Sequence, residues 1–493
     1  MIPQSRILDR RRAGILLHPT SLPGGPGNGD LGPDAYRFVD FLTESGMSIW
    51  QTLPLGPTHG DRSPYQCLSV HAGDPLLISL DWLAQRGWLD STPMPDTGDI
   101  AAYLRTQIAQ AHRGFVDRAS REDLADYQAF LTEHRFWLED FALYQALRKE
   151  QGDRSWVAWP APLRDRDPAA LEEARTRLAP WIERFRFEQF VFFRQWHELR
   201  QYANARGILL FGDVPIFVAH DSADVWAHRE YFDLYSDGTP RVVAGVPPDY
   251  FSATGQRWGN PLYRWERLQA DGFRWWVERM RSQLDLFDLV RIDHFRGFEA
   301  YWEIPAESAT AIEGRWVKAP GRELFDTLRR VFRSLPLVAE DLGIITPEVE
   351  ALRDDYGLPG MKILEFAFDG SAYNPYLPHN HIKNCVIYTG THDNDTALGW
   401  FASLDERTRS YLLDYLGGPQ EPMPWPLIRV VLMSVADFAI IPMQDVLGLG
   451  SEHRMNIPGT VEGNWRWRFE WGQVPHDMAA RLRRLLQMYG RVK

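Results

Sequence analysis

Eight apolar runs of strand length, each closed by polar residues and separated by helix-compatible segments, constrain this chain more than any other feature. They are Gly14–Thr20 (GILLHPT), Ser48–Leu55 (SIWQTLPL), Gly207–Val218 (GILLFGDVPIFV), Phe287–His294 (FDLVRIDH), Leu335–Leu342 (LPLVAEDL), Met361–Phe368 (MKILEFAF), Asn384–His392 (NCVIYTGTH) and Phe438–Asp445 (FAIIPMQD). Parallel strands covered on both faces read as continuous apolar runs rather than alternating ones. Helical spacing lies between them. Phe192, Trp196, Leu199 and Ala203 share one face before the third run, and further helices are predicted over Pro33–Glu44 and Arg322–Arg333. Eight such units predict an α/β chain closed into a (β/α)8 TIM barrel, which 493 residues accommodate with insertions.

The spacing is uneven. Residues 58–206 exceed what one barrel unit needs, and their Asp/Arg/Ala/Leu-rich makeup predicts a mostly helical inserted subdomain. A second insertion, 219–285, holds Gly245–Leu262 (GVPPDYFSATGQRWGNPL), a Gly/Pro/aromatic loop expected to cover the site with Tyr250, Phe251 and Trp258. The expectation is therefore one catalytic barrel over 1–493, with helical insertions between strands 2 and 3 and after strand 3.

Composition narrows the function. A net charge of −12 leaves no basic excess to attract nucleic acid or an anionic membrane. Met1–Arg12 is Arg-rich without an apolar core and does not read as a secretory signal, and Leu427–Met443 is interrupted by Arg429 and Asp437. Cys67 and Cys385 are too few for a disulfide framework or a Cys-x-x-Cys metal site, so a cytoplasmic protein is expected. Twenty Trp residues fit either a saccharide partner, whose rings stack on indoles, or a Trp-rich core. Gly27–Gly32 (GNGDLG) matches G-x-G-x-x-G but lies too far behind the first run for a dinucleotide turn, and reads better as a Gly-rich loop over the mouth. Walker A, H-E-x-x-H and G-x-S-x-G patterns do not occur.

In a parallel barrel the chemistry sits where strands end. The polar terminators here are His18, Gln51, Asp213, Asp293, Glu340, Glu365, His392 with Asp393, and Gln444 with Asp445. Arg291 and Asp293 are two apart on one strand and project to the same side, so a fixed guanidinium would keep the Asp293 carboxylate charged, as a nucleophile requires. Glu340 closes the apolar run PLVA, where desolvation would hold its proton, as a general acid requires. Retaining glycoside cleavage needs such a pair about 5–5.5 Å apart, and neighbouring strands about 4.8 Å apart supply it. Two other readings stand beside this one. Arg291–Asp293 could be an internal ion pair with Glu340 a cap, or the carboxylates could form an enolase-type Mg²⁺ site, although no strand-end Lys is at hand except Lys362.

These motifs, in order from GILLHPTSLPG at Gly14 through SPYQ at Ser63, GDVPIFVAHDSADVW at Gly212, VRIDHFRGF, VAEDLG, YTGTHDNDT and GSEHRMNIPGT at Gly450 to NWRWR at Asn464, resemble the amylomaltase or 4-α-glucanotransferase family of the α-amylase clan. The resemblance implies double displacement, with Asp293 as nucleophile, Glu340 as acid/base, Asp393 with His392 steadying the transition state, and Arg291 orienting Asp293. It implies substrate contacts from Asp213, Ser63, Tyr65, Asp249, Gln256, Trp258, His294 and Asn464, with Asp395 a neighbouring competitor for the role of Asp393. The family lacks a C-terminal β-sandwich domain, and here too the chain ends in a helical segment, Pro475–Tyr489. The implied partners are α-1,4-glucans and maltooligosaccharides, with glucose as acceptor and no cofactor or metal. A monomer or weak oligomer is expected. An α-1,4-glucan hydrolase and a non-catalytic glucan-binding scaffold are the alternatives.

Overall fold

The computed structural model describes residues 10–90, 99–249 and 252–492. Among them the eight runs form parallel strands β1 (Arg12–Leu16), β2 (Ile49–Gln51), β3 (Leu209–Pro215), β4 (Leu289–Asp293), β5 (Leu337–Ala339), β6 (Gly360–Ile363), β7 (Cys385–Tyr388) and β8 (Phe438–Pro442). Most of these strands are shorter than their runs, because the closing polar residues leave the ladder at the C-terminal mouth. The hydrogen-bonded order is β6-β7-β8-β1-β2-β3-β4-β5. At the remaining seam the Ala339 N–H donates to the Pro359 carbonyl (2.8 Å) and the Met361 N–H to Asp341 Oδ1 (2.7 Å), which closes the ring. A Cβ on Gly360 would lie 2.4 Å from Asp341 Oδ2, so glycine is what admits that carboxylate to the seam.

The helices follow from their apolar faces and caps. The helix Pro33–Ser45 begins with Pro in its first turn and ends at Gly46, whose φ of 76° is left-handed and whose N–H caps Leu42 and Thr43. Its Phe38, Val39 and Leu42 are fully buried, each worth about 1.5–3 kcal/mol. The helix Met478–Met488 packs against it.

Between β2 and β3 run helices Leu80–Gln85, Ile100–Arg118, Arg121–Glu133, Arg135–Glu150, Ala161–Arg164 and Pro168–Arg177, ending in the long helix Ala179–Ala205. That last helix serves two layers. It packs against the inserted helices, while Trp196, Leu199 and Ala203 bury against the barrel, with Trp196 Nε1 donating to the Leu286 carbonyl at 2.8 Å.

After β3 the expectation of helices and loop is incomplete. Val242–Val246 and Gln256–Pro261 pair antiparallel and join Ala300–Pro305 and Arg315–Lys318 from the connection after β4 in a four-stranded sheet. That pairing joins two separate connections, so no local pattern announces it. Tyr250 and Phe251, singled out in the covering loop, lie outside the described residues.

Most of the tryptophan excess is core. Trp50, Trp88, Trp156, Trp196, Trp226, Trp275 and Trp276 are among the largest fully buried side chains. Among the described residues no helix is long and apolar enough to cross a membrane.

Candidate active site

Strand register sets the site. Asp213 on β3 pairs with Arg291 on β4, Pro215 pairs with Asp293, and Ile292 pairs with Ala339 on β5. Asp293 and Glu340, each one residue beyond the Ile292–Ala339 pair, therefore emerge side by side at the mouth.

Arg291 is the hub. It is 5% exposed, donates from Nη1 to both oxygens of Asp213 (2.8 and 2.7 Å), and from Nη2 to Asp293 Oδ1 (2.7 Å). Burial works against its charge, but Asp213 and Asp293 outweigh burial and hold its pKa well above the usual value. The guanidinium thus supplies the cation between these carboxylates. Lys362, the one Lys an enolase-type reading could call on, instead faces the Tyr376 ring at 5.2 Å. The Tyr65 hydroxyl donates to Asp213 Oδ2 at 2.6 Å, and burial together with Asp213 keeps that hydroxyl protonated.

Glu340 is held by backbone. Its Oε2 accepts the His294 N–H (2.7 Å) and its Oε1 the Leu342 N–H (2.9 Å). Burial, reinforced by Asp293 and only partly offset by Arg291, pushes its carboxyl up to about 7. His294 reaches it because its backbone is left-handed (φ 55°), a costly conformation for a non-glycine residue. The His294 ring is half-buried, its pKa lowered to about 4 chiefly by desolvation, and it meets Trp258 edge-on at 4.8 Å; its Nε2 has no partner among the described residues.

Beyond β7, His392 Nε2 lies 3.2 Å from Asp393 Oδ2, and the Asn456 amide donates to Asp393 Oδ1 at 2.6 Å. Surrounding protein disfavours charge on Asp393, but His392 and Asn456 outweigh it and hold the carboxyl below the usual range. The His392 ring stacks on Tyr65 at 5.1 Å, with Trp465 near both. Asp395 is spent locally, accepting the Ser451 hydroxyl (2.8 Å) and the Thr396 N–H (2.7 Å).

The other predicted residues divide. Gln256 and Trp258 stand on the strand Gln256–Pro261, joined by a 3.1 Å bond from Trp258 Nε1 to Gln256 Oε1. Asp249 accepts the Ser252 N–H at 2.8 Å, and Ser63 lies two residues before Tyr65, its hydroxyl 3.4 Å from the Tyr65 N–H. Asn464 is 5% exposed and holds its own loop, accepting from Ile457 N–H (3.0 Å) and donating to the Thr460 carbonyl (2.9 Å). Several strand-end groups brace the barrel: Gln51 accepts the Tyr388 hydroxyl, and Asp445 accepts the Thr389 hydroxyl and the Ala397 N–H. Glu365 is pushed well above the carboxylate range by burial and by Asp445 and Asp395. Asn456 and Arg454, whose guanidinium donates to the Asp393 carbonyl at 2.9 Å, went unassigned in the sequence. They arrive from a loop 61 and 63 residues away, and only the recurrence of GSEHRMN with the other motifs could have marked them.

A sequence model described as 4-alpha-glucanotransferase matches residues 17–474. A 4-alpha-glucanotransferase of Thermus thermophilus is 52% identical over 97% of this chain and 98% of its own. One of Synechocystis is 48% identical over 98% and 99%. The structure of an amylomaltase from Streptococcus agalactiae in complex with acarbose superposes with a TM-score of 0.94 at 37% identity, covering 98% of this chain and all of that one. With a family model spanning most of its length and relatives this similar end to end, the chain belongs to the 4-α-glucanotransferase family.

Proposed function

We propose that the chain transfers α-1,4-glucan segments between maltooligosaccharides by retaining double displacement, with Asp293 as nucleophile and Glu340 as acid/base. The observation that carries this is the pair of adjacent strand-tip carboxyls in opposite surroundings, one gripped by Arg291 and one pushed up to about 7 by burial. As an Asp293 oxygen bonds to C1 of the donor, the C1–O4 bond breaks, and the departing oxygen takes the Glu340 proton. The Glu340 carboxylate then removes the proton of an acceptor 4-hydroxyl, which displaces Asp293 and restores the α-configuration.

Asp213 and Arg291 form one rigid unit that orients Asp293, and Asp393 with His392 meets sugar hydroxyls as positive charge develops at C1. His294, with Nε2 unspent, and Trp258, edge-on to it, would supply contacts to an acceptor ring. Transfer rather than hydrolysis follows if the segment 245–262 keeps water from the glucosyl-enzyme. A cytoplasmic enzyme acting on α-1,4-glucans is the matching setting.

Chromatography of maltotriose digests tests the reading. Glucose together with oligomers longer than maltotriose is the expected pattern, and shortening alone would make the chain a hydrolase. Mass spectrometry of a slow-substrate adduct should place the glucosyl group on the peptide carrying Asp293; a label elsewhere overturns the nucleophile.

A further inference from the structure

The loops that follow the two central carboxyls are tied to each other by a side chain outside the reacting set. Glu340 is clasped by the β4 loop through backbone, with the His294 N–H on Oε2 (2.7 Å) and the Phe295 N–H on the Glu340 carbonyl (3.1 Å). Two residues past His294, Arg296 reaches across to the other loop and donates from Nη1 to the carbonyl of Ile344. This bond closes a ring around residues 340–344, whose near side is the Leu342 N–H on Glu340 Oε1 (2.9 Å).

Arg296 is unusually placed for an arginine. It is 7% exposed, and its Nε is buried without a partner among the described residues. Its guanidinium lies 3.7 Å from the centre of the Trp316 ring. Trp316 stands on the strand Arg315–Lys318 at the edge of the antiparallel sheet, set edge-on to Trp302 at 5.2 Å. Burying a guanidinium with one nitrogen unsatisfied is costly, and it is retained where the remaining bonds hold something in place. Ile344 itself is 52% exposed, so its own side chain contributes little packing, and the bond from Arg296 to its carbonyl is what ties it to the β4 loop.

We propose that Arg296, stacked on Trp316, is a positioning residue for the acid/base: it pins Ile344 and thereby holds the Leu342 amide and the Glu340 carboxyl on the leaving oxygen. The same stack joins the sheet that carries Trp258 to the Glu340 loop, so a sugar seated on that sheet and the proton donor share one rigid body. This rests on the role proposed for Glu340 above.

A donor that needs no proton separates positioning from mere support. α-Maltosyl fluoride loses fluoride without protonation, and azide attacks the resulting maltosyl-enzyme at C1 without giving up a proton, so neither step uses Glu340. Arg296→Met is expected to slow transfer from maltotriose about 10- to 100-fold. Azide-supported fluoride release should stay within about threefold of the unsubstituted enzyme. Arg296→Lys, which keeps a donor but not the fork, should fall between. Trp316→Ala should show the same split to a smaller degree, and it decides the matter if Arg296→Met does not fold, as judged by its thermal transition. Equal losses in both reactions, or no loss with maltotriose, overturn the proposal. Glu340→Ala is the control: if azide fails to restore its fluoride release, it is the acid/base role of Glu340 that falls, not the link to Arg296.

Discussion

Arg291 bonds to two acidic side chains on two strands, and that geometry makes it hard to replace. A lysine ammonium is a point donor and cannot grip both Asp213 oxygens while holding Asp293. Arg291→Lys should lower kcat at least about 100-fold with a much smaller change in KM, because displacing Asp293, the proposed nucleophile, costs more in the transition state than in binding. Steady-state rates on maltotriose check this, and a variant within about threefold of the parent would reduce Arg291 to a brace. For Glu340, raised to about 7, the sign is fixed by its role. As the proposed acid it carries its proton below that value and loses it above, so the glucosylation rate should fall about tenfold per pH unit well above pH 7. The pre-steady-state rate of donor cleavage measured from pH 6 to 9 tests this; a flat profile would contradict the assignment. These pairings were partly legible in sequence. Arg291 and Asp293 share a face at i, i+2, whereas the grip on Asp213 depends on β3 and β4 being neighbours in a set register.

Single elements carry two further consequences. At the β5–β6 seam a Cβ on residue 360 would fall 2.4 Å from the Asp341 carboxylate, which also bonds to Arg353. Gly360→Ala should therefore displace a buried ion pair and cost about 1–3 kcal/mol, read as a lowered denaturation midpoint. The strand Gln256–Pro261 presents Trp258 towards His294 at 4.8 Å. Trp258→Ala should open the proposed acceptor side to water and raise the fraction of bonds hydrolysed rather than transferred several-fold, measured as new reducing ends against lengthened products. The seam strand was visible as an apolar run. The antiparallel sheet was not, because Ala300–Pro305 pairs with residues some 60 positions earlier, in a different connection, and Arg315–Lys318 joins the sheet only by its hairpin with Ala300–Pro305.

For the molecule as a whole, several buried carboxyls lean one way. Asp30, Asp74 and Glu340 are raised to about 7 and Asp445 to about 6, all chiefly by burial. The folded chain binds these protons more tightly than the unfolded one. Their contribution to stability is complete below about pH 4 and is lost as pH rises through 6–7. Asp393, held below the usual range, contributes in the opposite sense, above pH 4. Urea midpoints should then fall between pH 5.5 and 8, and Glu340→Gln should shrink that fall by about 2 kcal/mol, an unchanged difference contradicting the raised carboxyl.

What the amino-acid order determined alone is the set of barrel elements and the candidate groups that end its strands. Strand-length apolar runs and 3.6-residue faces are local, and a carboxylate after a strand must come out at the mouth. What only the folded chain decided is which of those groups gather around Arg291 and which are tied up elsewhere in the barrel. Asp445 and Gln51 end strands as Asp213 and Asp293 do, yet they are consumed by Thr389, Ala397 and Tyr388. Asp393 depends on an amide 63 residues away, and Glu340 on the N–H of a left-handed histidine from the neighbouring loop. Hydrogen-bond partners and desolvation are properties of neighbours in space, and the barrel's closure, not the order along the chain, chooses those neighbours.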